Sequence, residues 1–382
     1  MKPIPMLDLR AEYLYMKAAI DAAFEKCLEH QQWILGPEVK ALEGKVADYL
    51  GVKHCIGVAS GTDALLLSLR ALALARKGQE YFDRTDEIIT TPFTFTATGG
   101  AILRSGATPV FADIEESSFG LSAPAVRAYL ESADSRNVVG IVPVHLYGHA
   151  CDMDPIMEVA DRRGLFVLED VAQAFGGKYR GRKLGSIGTA GAFSFFPSKN
   201  LGGFGDGGMV ASNDDVVADF VRMLAKHGGR DKYNSDHIGY NSRLDSVQAG
   251  VLLAKLDYVD EFNERRRRLA DAYSSGLADL PNLVVPRAAP EVYHVYHQYT
   301  IRILDGRRDG LQSHLKATGI ASMVYYPVPL HRMNVFRGRQ KTAGCLARTE
   351  AMVREVLSLP IEPLQSEEVT RTITRTIRDF LA

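Results

Sequence analysis

From His54 to about Asp170, short apolar runs alternate with amphipathic stretches of helical period, and this alternation limits the fold more than any other feature of the chain. The strand candidates are "HCIGVAS", "DEIITTP", "TPVFADI", "VVGIVPVHL" and "LFVLED", all rich in β-branched residues. Between them "GTDALLLSLRALAL", "TFTATGGAILRSG", "SAPAVRAYLES" and "DMDPIMEVADRRG" read as helices. Repeated units of this kind predict an α/β domain built on a mainly parallel sheet. A ligand of such a sheet belongs at the carboxyl ends of its strands.

After Val210 the pattern changes. A helix is expected over "DDVVADFVRMLAKHG", then a long helical segment from about Asp245 to Leu280, then a turn-rich piece holding Pro281 and Pro286. Two further strand candidates, "YHQYTIRI" and "ASMVYYP", alternate with helices to the end, as a small α+β domain would. The expected division is a large domain over residues 1–255, with an N-terminal helical segment, and a small one over 256–382. Arg265 to Arg268 form a run of four, read as a solvated helix face and not as a nucleic-acid contact.

Composition narrows the partners. A chain of 382 residues with 46% hydrophobic and 24% charged residues can bury a large core. Its formal net charge of -1 gives no general attraction to nucleic acid or anionic lipid, which leaves small molecules. Cys27, Cys55, Cys151 and Cys345 lie far apart and match neither a disulfide framework nor a zinc spacing, so no metal is expected. The start "MKPIPMLDLRAEYLYMKAAI" lacks the apolar core of a signal peptide. No window approaches the roughly 18 apolar residues of a membrane span. A cytoplasmic location is expected.

One stretch carries chemistry. In "SFFPSKNLGGFGDGGMV" a lysine, Lys199, separates an aromatic strand-like run from a glycine-rich loop. "GFGDGG" formally matches the dinucleotide pattern, but a strand follows it where that motif needs a helix, so the match is taken as false. Two strands joined by a loop suit close approach of backbone to a ligand. A lone lysine on a loop is ordinarily a solvated charge, and its neighbours are what distinguish this one. Glu169 and Asp170 end "GLFVLED" and put a carboxylate at a strand's carboxyl end, with a helix cap as the plainer reading. Gly61 and Thr62 open a helix whose N–H groups suit an anion, and Ser194 offers a hydroxyl beside the loop. Pyridoxal phosphate, an aldehyde with a phosphate and a ring nitrogen, would use all of these together.

These segments are similar to the DegT/DnrJ/StrS family of sugar aminotransferases, which have the fold type I architecture. The resemblance runs through "ILGPEVKALE", "GVASGTDALLLSL", "TTPFTFTATGGAILRSGATPVFADI", "PVHLYGHACDMDPI", "LEDVAQAFGGKYRG", "GAFSFFPSKNLGGFGDGGM", "IGYNSRLDSVQAGVLLAKL" and "VYYPVPLH". It implies that Lys199 is the Schiff-base lysine, that Asp170 keeps the ring nitrogen protonated, and that Gln173 bonds the phenolate oxygen. Gly61, Thr62 and Ser194 are implied as the phosphate cradle, Phe95 as the ring that stacks on the cofactor, and Asn241 as a phosphate contact supplied by a second subunit. Core packing is the plain alternative for Phe95. The resemblance implies a homodimer with shared sites, L-glutamate as donor, 2-oxoglutarate and pyridoxamine phosphate as products, and a nucleotide-linked keto sugar as acceptor.

"GYNSRLD", "YYPVPLH" and "FFPSKNLG" resemble members that aminate carbon 3, whereas members acting on 4-keto sugars tend to carry a tyrosine and a methionine-threonine pair in the first motif. By the same analogy Tyr325, Tyr326, His331 and Arg243 lie near the substrate, with packing or surface positions as the alternative for the tyrosines. The chain departs from the family pattern twice. The stretch before "DEIITTP" is about ten residues longer than usual, and His149 replaces a frequent glutamine. Three rivals remain. A sugar dehydratase carries histidine in place of the lysine. A regulatory binder would keep the fold without turnover. An amino-acid aminotransferase would dedicate an arginine to the substrate's second carboxylate.

Overall fold

The computed structural model describes residues 3–231 and 233–381. The five expected strands form at His54–Val58, Glu87–Thr90, Thr108–Phe111, Val138–Val142 and Phe166–Asp170. Ala190–Ser194 and Gly208–Ser212 flank the Lys199 loop. Among the described residues the largest sheet has eight strands. Its order is His54–Val58, Gly208–Ser212, Ala190–Ser194, Phe166–Asp170, Val138–Val142, Glu87–Thr90, Thr108–Phe111 and Lys341–Thr342. Gly208–Ser212 runs antiparallel to both neighbours, and the remaining pairs are parallel. The central strands are buried throughout, which is why they read as continuous apolar runs.

Helices cover both faces. On one, Val39, Leu42 and Val46 pack with Ile141, Val167 and Phe193. On the other lies Gly61–Lys77, buried on every side from Ala64 to Leu74, against Val58, Leu168, Ala192 and Val210. Ser60 caps this helix by accepting from the Asp63 N–H at 3.1 Å, and Gly78 ends it in the left-handed conformation. A third cluster joins Leu269, Tyr273 and Leu277 to Tyr299, Ile301, Leu357, Leu359, Ile373 and Ile377.

Two elements differ from expectation. The long segment after Asp245 is two helices, Ser246–Leu256 and Val259–Leu277, with Asp257 and Tyr258 outside both. "ASMVYYP" is not a strand: Met323 makes an isolated bridge to Ser358, and the chain then turns toward Tyr325 and Tyr326. The third strand of the small sheet is instead Val356–Leu359, beside Tyr299–Ile303 and beyond it Leu283–Val284. Among the described residues no helix is long and apolar enough to cross a membrane.

Candidate active site

A cavity of about 470 Å³ opens at the carboxyl ends of the sheet strands. Gly61 and Thr62 line it after the first strand, Thr94 and Phe95 after the second, Asp170 and Gln173 after the fifth, and Ser194 and Lys199 beside the glycine loop. Tyr325 and Tyr326 reach it from the C-terminal part of the chain. Nine of the residues expected from sequence therefore meet in one place: Gly61, Thr62, Phe95, Asp170, Gln173, Ser194, Lys199, Tyr325 and Tyr326.

Three lie outside this chain's own cavity, which for Asn241, expected from a second subunit, is no departure. Arg243 lines a separate basic recess with Lys40, Arg222 and Lys226. Asn241 is exposed on the same loop and accepts a hydrogen bond from the Arg243 guanidinium. His331 is drawn away by Glu350, whose carboxylate it meets through Nε2 at 2.7 Å. His149 lies outside the cavity too, with Nδ1 at 2.7 Å from the Ala150 carbonyl and Nε2 accepting from the Ala289 N–H. It ties down a loop.

Lys199 sits in a tight turn, its backbone N–H donating to the Phe196 carbonyl at 2.8 Å. Among the described residues its half-buried amine has no hydrogen-bond or ion-pair partner. Burial lowers its pKa to about 8, against the opposing pull of Asp170. Asp170 is buried, and burial pushes its pKa up while the Thr98 hydroxyl, the Ala172 N–H, Lys199 and His145 pull it down. Thr98 donates to one carboxylate oxygen at 2.8 Å and Ala172 N–H to the other at 3.1 Å, so the carboxylate cannot swing. The helix-cap reading of Asp170 fails, because only turns follow the strand: its bond to the Ala172 N–H forms the turn that leads to Gln173.

Strand alternation separates the two acids. Glu169 points the other way, fully buried, and accepts from the N–H groups of Gly185, Ile187 and Gly188 at 2.7–2.9 Å and meets His145 Nε2 at 3.0 Å. Gln173 uses both ends of its amide: the oxygen accepts from the Tyr147 N–H at 2.8 Å and the nitrogen donates to the Tyr326 hydroxyl at 2.9 Å. Phe95 stands at the rim, 56% exposed, its ring 6.1 Å from that of Tyr326.

The residues present fit pyridoxal phosphate. A Cβ at Gly61 would lie 2.6 Å from Ser194 Cβ, so only glycine lets the helix N-terminus close on the Ser194 hydroxyl. That leaves N–H groups and a hydroxyl facing one point, an anion site, across the cavity from a fixed carboxylate and an amine without a partner. Sequence reasoning missed Thr98, His297 and Gln298. Thr98 lies inside the quoted "TFTATGG", one helical turn from Thr94, and that i, i+4 pair was its signal. His297 is buried, its pKa driven far down by burial and then by Lys199 and Arg266, with Nδ1 3.1 Å from the Asn200 amide oxygen. Nothing in "YHQY" marks it.

Away from the cavity, Cys27, His30 and Glu38 bring ligand atoms within 4.8 Å of one another. His30 Nδ1 accepts from the Gln32 N–H, so Nε2 carries the proton and donates to Glu38 at 2.9 Å, a closed contact between two helices.

Residues 15–378 match the DegT/DnrJ/EryC1/StrS aminotransferase family. The chain belongs to that family. Among curated relatives, a dTDP-3-amino-3,4,6-trideoxy-alpha-D-glucose transaminase of Streptomyces venezuelae is 43% identical over 97% of this chain and 94% of its own. A UDP-N-acetyl-3-dehydro-alpha-D-glucosamine 3-aminotransferase of Acidithiobacillus ferrooxidans is 42% identical over 97% and 96%. A protein of Geobacillus stearothermophilus named as a pleiotropic regulatory protein is also 42% identical, over 99% and 98%. Among solved structures, a DegT DnrJ EryC1 StrS aminotransferase from Brucella abortus superimposes with a TM-score of 0.93 at 36% identity, covering 99% of this chain and 100% of that one. The ntda protein of Bacillus subtilis, solved with bound cofactor PMP, superimposes at 0.87 and 27% identity over 99% and 86%. DegT/DnrJ/EryC1/StrS aminotransferases use pyridoxal phosphate, the cofactor that the sequence pointed to.

Proposed function

We propose that this chain moves the amino group of L-glutamate to carbon 3 of a nucleotide-linked keto sugar, as a homodimer in the cytoplasm. The observation that carries this reading is the meeting, in one cavity, of the unpartnered Lys199 amine, the fixed Asp170 carboxylate, Gln173 and the Gly61 helix N-terminus. Carbon 3 is supported by the names of the two transaminase relatives. Exposed apolar side chains at Leu28, Trp33, Ile34, Leu35, Phe196 and Phe204 support a second copy.

Pyridoxal phosphate, when bound, supplies the sink for the electron pair left by a broken C–H bond. The chain supplies the rest. N–H groups of Gly61 and Thr62 and the Ser194 hydroxyl would hold the phosphate. Asp170 would hold a proton on the ring nitrogen through its negative charge, kept in place by Thr98 and Ala172. Gln173 has one amide N–H left after Tyr326 and would direct it to the phenolic oxygen. Lys199 would tether the cofactor at rest and, once freed by the donor, move the proton between substrate carbon and cofactor. That task needs a neutral amine, which a pKa lowered to about 8 allows near neutral pH. Tyr325 and Tyr326 line the substrate side, and the partner would add Asn241. Two half-reactions in one site imply ping-pong kinetics.

The test is the visible absorbance of the cofactor-loaded protein before and after L-glutamate, in wild type and in Lys199→Ala. A shift with glutamate, absent in the variant, is expected, together with turnover of a 3-keto sugar nucleotide. A protein that acts as a regulator, the reading favoured by the Geobacillus relative's name, would hold the cofactor with no change on adding glutamate.

A further inference from the structure

The long loop before "DEIITTP" folds back on a buried arginine. Arg70, in the helix Gly61–Lys77, has no exposed surface. Its Nε donates to the Glu80 carbonyl, and its Nη2 to the Glu80 carboxylate at 2.8 Å and the Ile238 carbonyl at 3.1 Å. Nη1 donates to the Tyr240 hydroxyl at 2.6 Å, and the Tyr81 ring centre lies 3.7 Å from the guanidinium carbon. The second carboxylate oxygen of Glu80 meets His237 Nδ1 at 2.7 Å. One Arg–Glu pair therefore grips the stretch 237–240 at His237, Ile238 and Tyr240.

Backbone bonds finish the hold. Tyr240 N–H donates to the Leu224 carbonyl at 2.7 Å and His227 N–H to the Tyr240 carbonyl at 2.9 Å. On the other side of Asn241, the Ser242 hydroxyl donates to Asp63 at 3.0 Å and accepts from the Ala59 N–H at 3.2 Å. Asn241, exposed and outside its own cavity, thus stands between two anchored residues. A planar guanidinium with four bonded acceptors fixes direction as well as distance.

We propose that Glu80 is a positioning residue: held by Arg70, it fixes the stretch 237–242 so that Asn241 is presented to the cofactor phosphate of a partner subunit. The proposal rests on the reading that a second subunit supplies Asn241. It gives the extended loop a task in the site of the other subunit, although neither Glu80 nor Tyr81 lines a site itself.

The experiment is a double-mutant cycle on the holoenzyme with Glu80→Gln and Asn241→Ala, reading cofactor dissociation by absorbance and subunit association by sedimentation. Each single variant is expected to weaken cofactor retention by roughly tenfold, the scale of one hydrogen bond to a charged group. The double variant is expected to lose no more than Asn241→Ala alone, because Glu80 acts through that residue. At saturating cofactor Glu80→Gln should recover kcat, which a loss of folded protein would not allow. Additive losses, or retention unchanged in Glu80→Gln while Asn241→Ala is weakened, overturn the proposal alone. No effect of Asn241→Ala in a protein that sediments as a dimer overturns the reading beneath it, and the proposal with it. Should Glu80→Gln fail to fold, the same cycle with His237→Ala, which removes the contact with Glu80 and leaves the Arg70–Glu80 pair in place, separates the same outcomes.

Discussion

At Lys199 the fold holds a basic group where its charge is unwelcome, and stability should register this. The folded pKa is lowered from 10.5 to about 8, chiefly by burial. Between those values the unfolded chain binds more protons than the folded one, so the group's contribution to stability rises with pH across that window. Below pH 8 the cost of burying the ammonium is fully present. Lys199→Met should therefore stabilise the cofactor-free protein, and by more at pH 7 than at pH 10, as thermal unfolding at the two values would measure. Asp170 carries the matching cost with the opposite charge, since burial raises its pKa. Asp170→Asn keeps the shape and an oxygen for the Ala172 N–H but loses the charge. Its cofactor-free form should be no less stable than wild type, while turnover falls by roughly a hundredfold or more, the scale on which one fixed electrostatic group matters to catalysis. A variant that lost stability and kept turnover would reverse the assignment. Both residues were legible in the sequence because strand ends and glycine loops place them. Thr98 left only its i, i+4 pairing with Thr94, which does not point across 72 residues to Asp170, and a histidine in a loop such as His297 carries no pattern that points across 98 residues to Lys199.

Among elements, the helix Gly61–Lys77 shows how close packing makes a site. Its first residue must come so near the strand Ala190–Ser194 that a methyl group at position 61 would lie 2.6 Å from Ser194 Cβ. Gly61→Ala should separate helix and strand, cost about 1–3 kcal/mol of stability as overpacking does, and weaken affinity for pyridoxal phosphate in equilibrium titration. Ser194→Gly in the same chain removes the opposing Cβ. It should restore most of the stability but not the affinity, because the hydroxyl is lost. Restored affinity would mean that the helix N-terminus alone holds the phosphate. The elements of the large sheet were readable because strands buried on both faces and amphipathic helices leave distinct periods. "ASMVYYP" misled for a physical reason: two tyrosines after a valine look like a strand, but here Tyr325 and Tyr326 serve the cavity. The edge of Tyr299–Ile303 is filled by "VLSL", whose brevity and position directly after a helix hid it.

On the scale of the whole molecule, the division proposed at residues 255 and 256 must be reconciled with how firmly the C-terminal part grips the large sheet. Lys341–Thr342 extends that sheet beside Thr108–Phe111, and the Leu330 N–H donates to the Pro92 carbonyl at 2.9 Å. The Tyr147 hydroxyl donates to the Tyr325 carbonyl, and Gln173 bonds Tyr326 beside the cavity. Asp113 is the firmest of these ties: its buried carboxylate accepts from the N–H groups of Arg348 and Thr349 and from the Thr349 hydroxyl, at 2.8–3.0 Å. No sequence period reports such ties, because each joins residues at least 153 positions apart. Their consequence is cooperativity: parts bound by buried polar contacts across the ligand cavity should unfold together. Asp113→Ala strands three donors at the start of the helix Ala347–Glu355 and should cost about 2–4 kcal/mol. If the chain is one cooperative unit, denaturant unfolding of the variant shifts to lower midpoint with unchanged slope, and the KM for the sugar nucleotide rises because Tyr325 and Tyr326 are held less firmly. A second, earlier transition of partial amplitude would show instead that the C-terminal part unfolds by itself, and that the cavity is an interface between two independently stable domains.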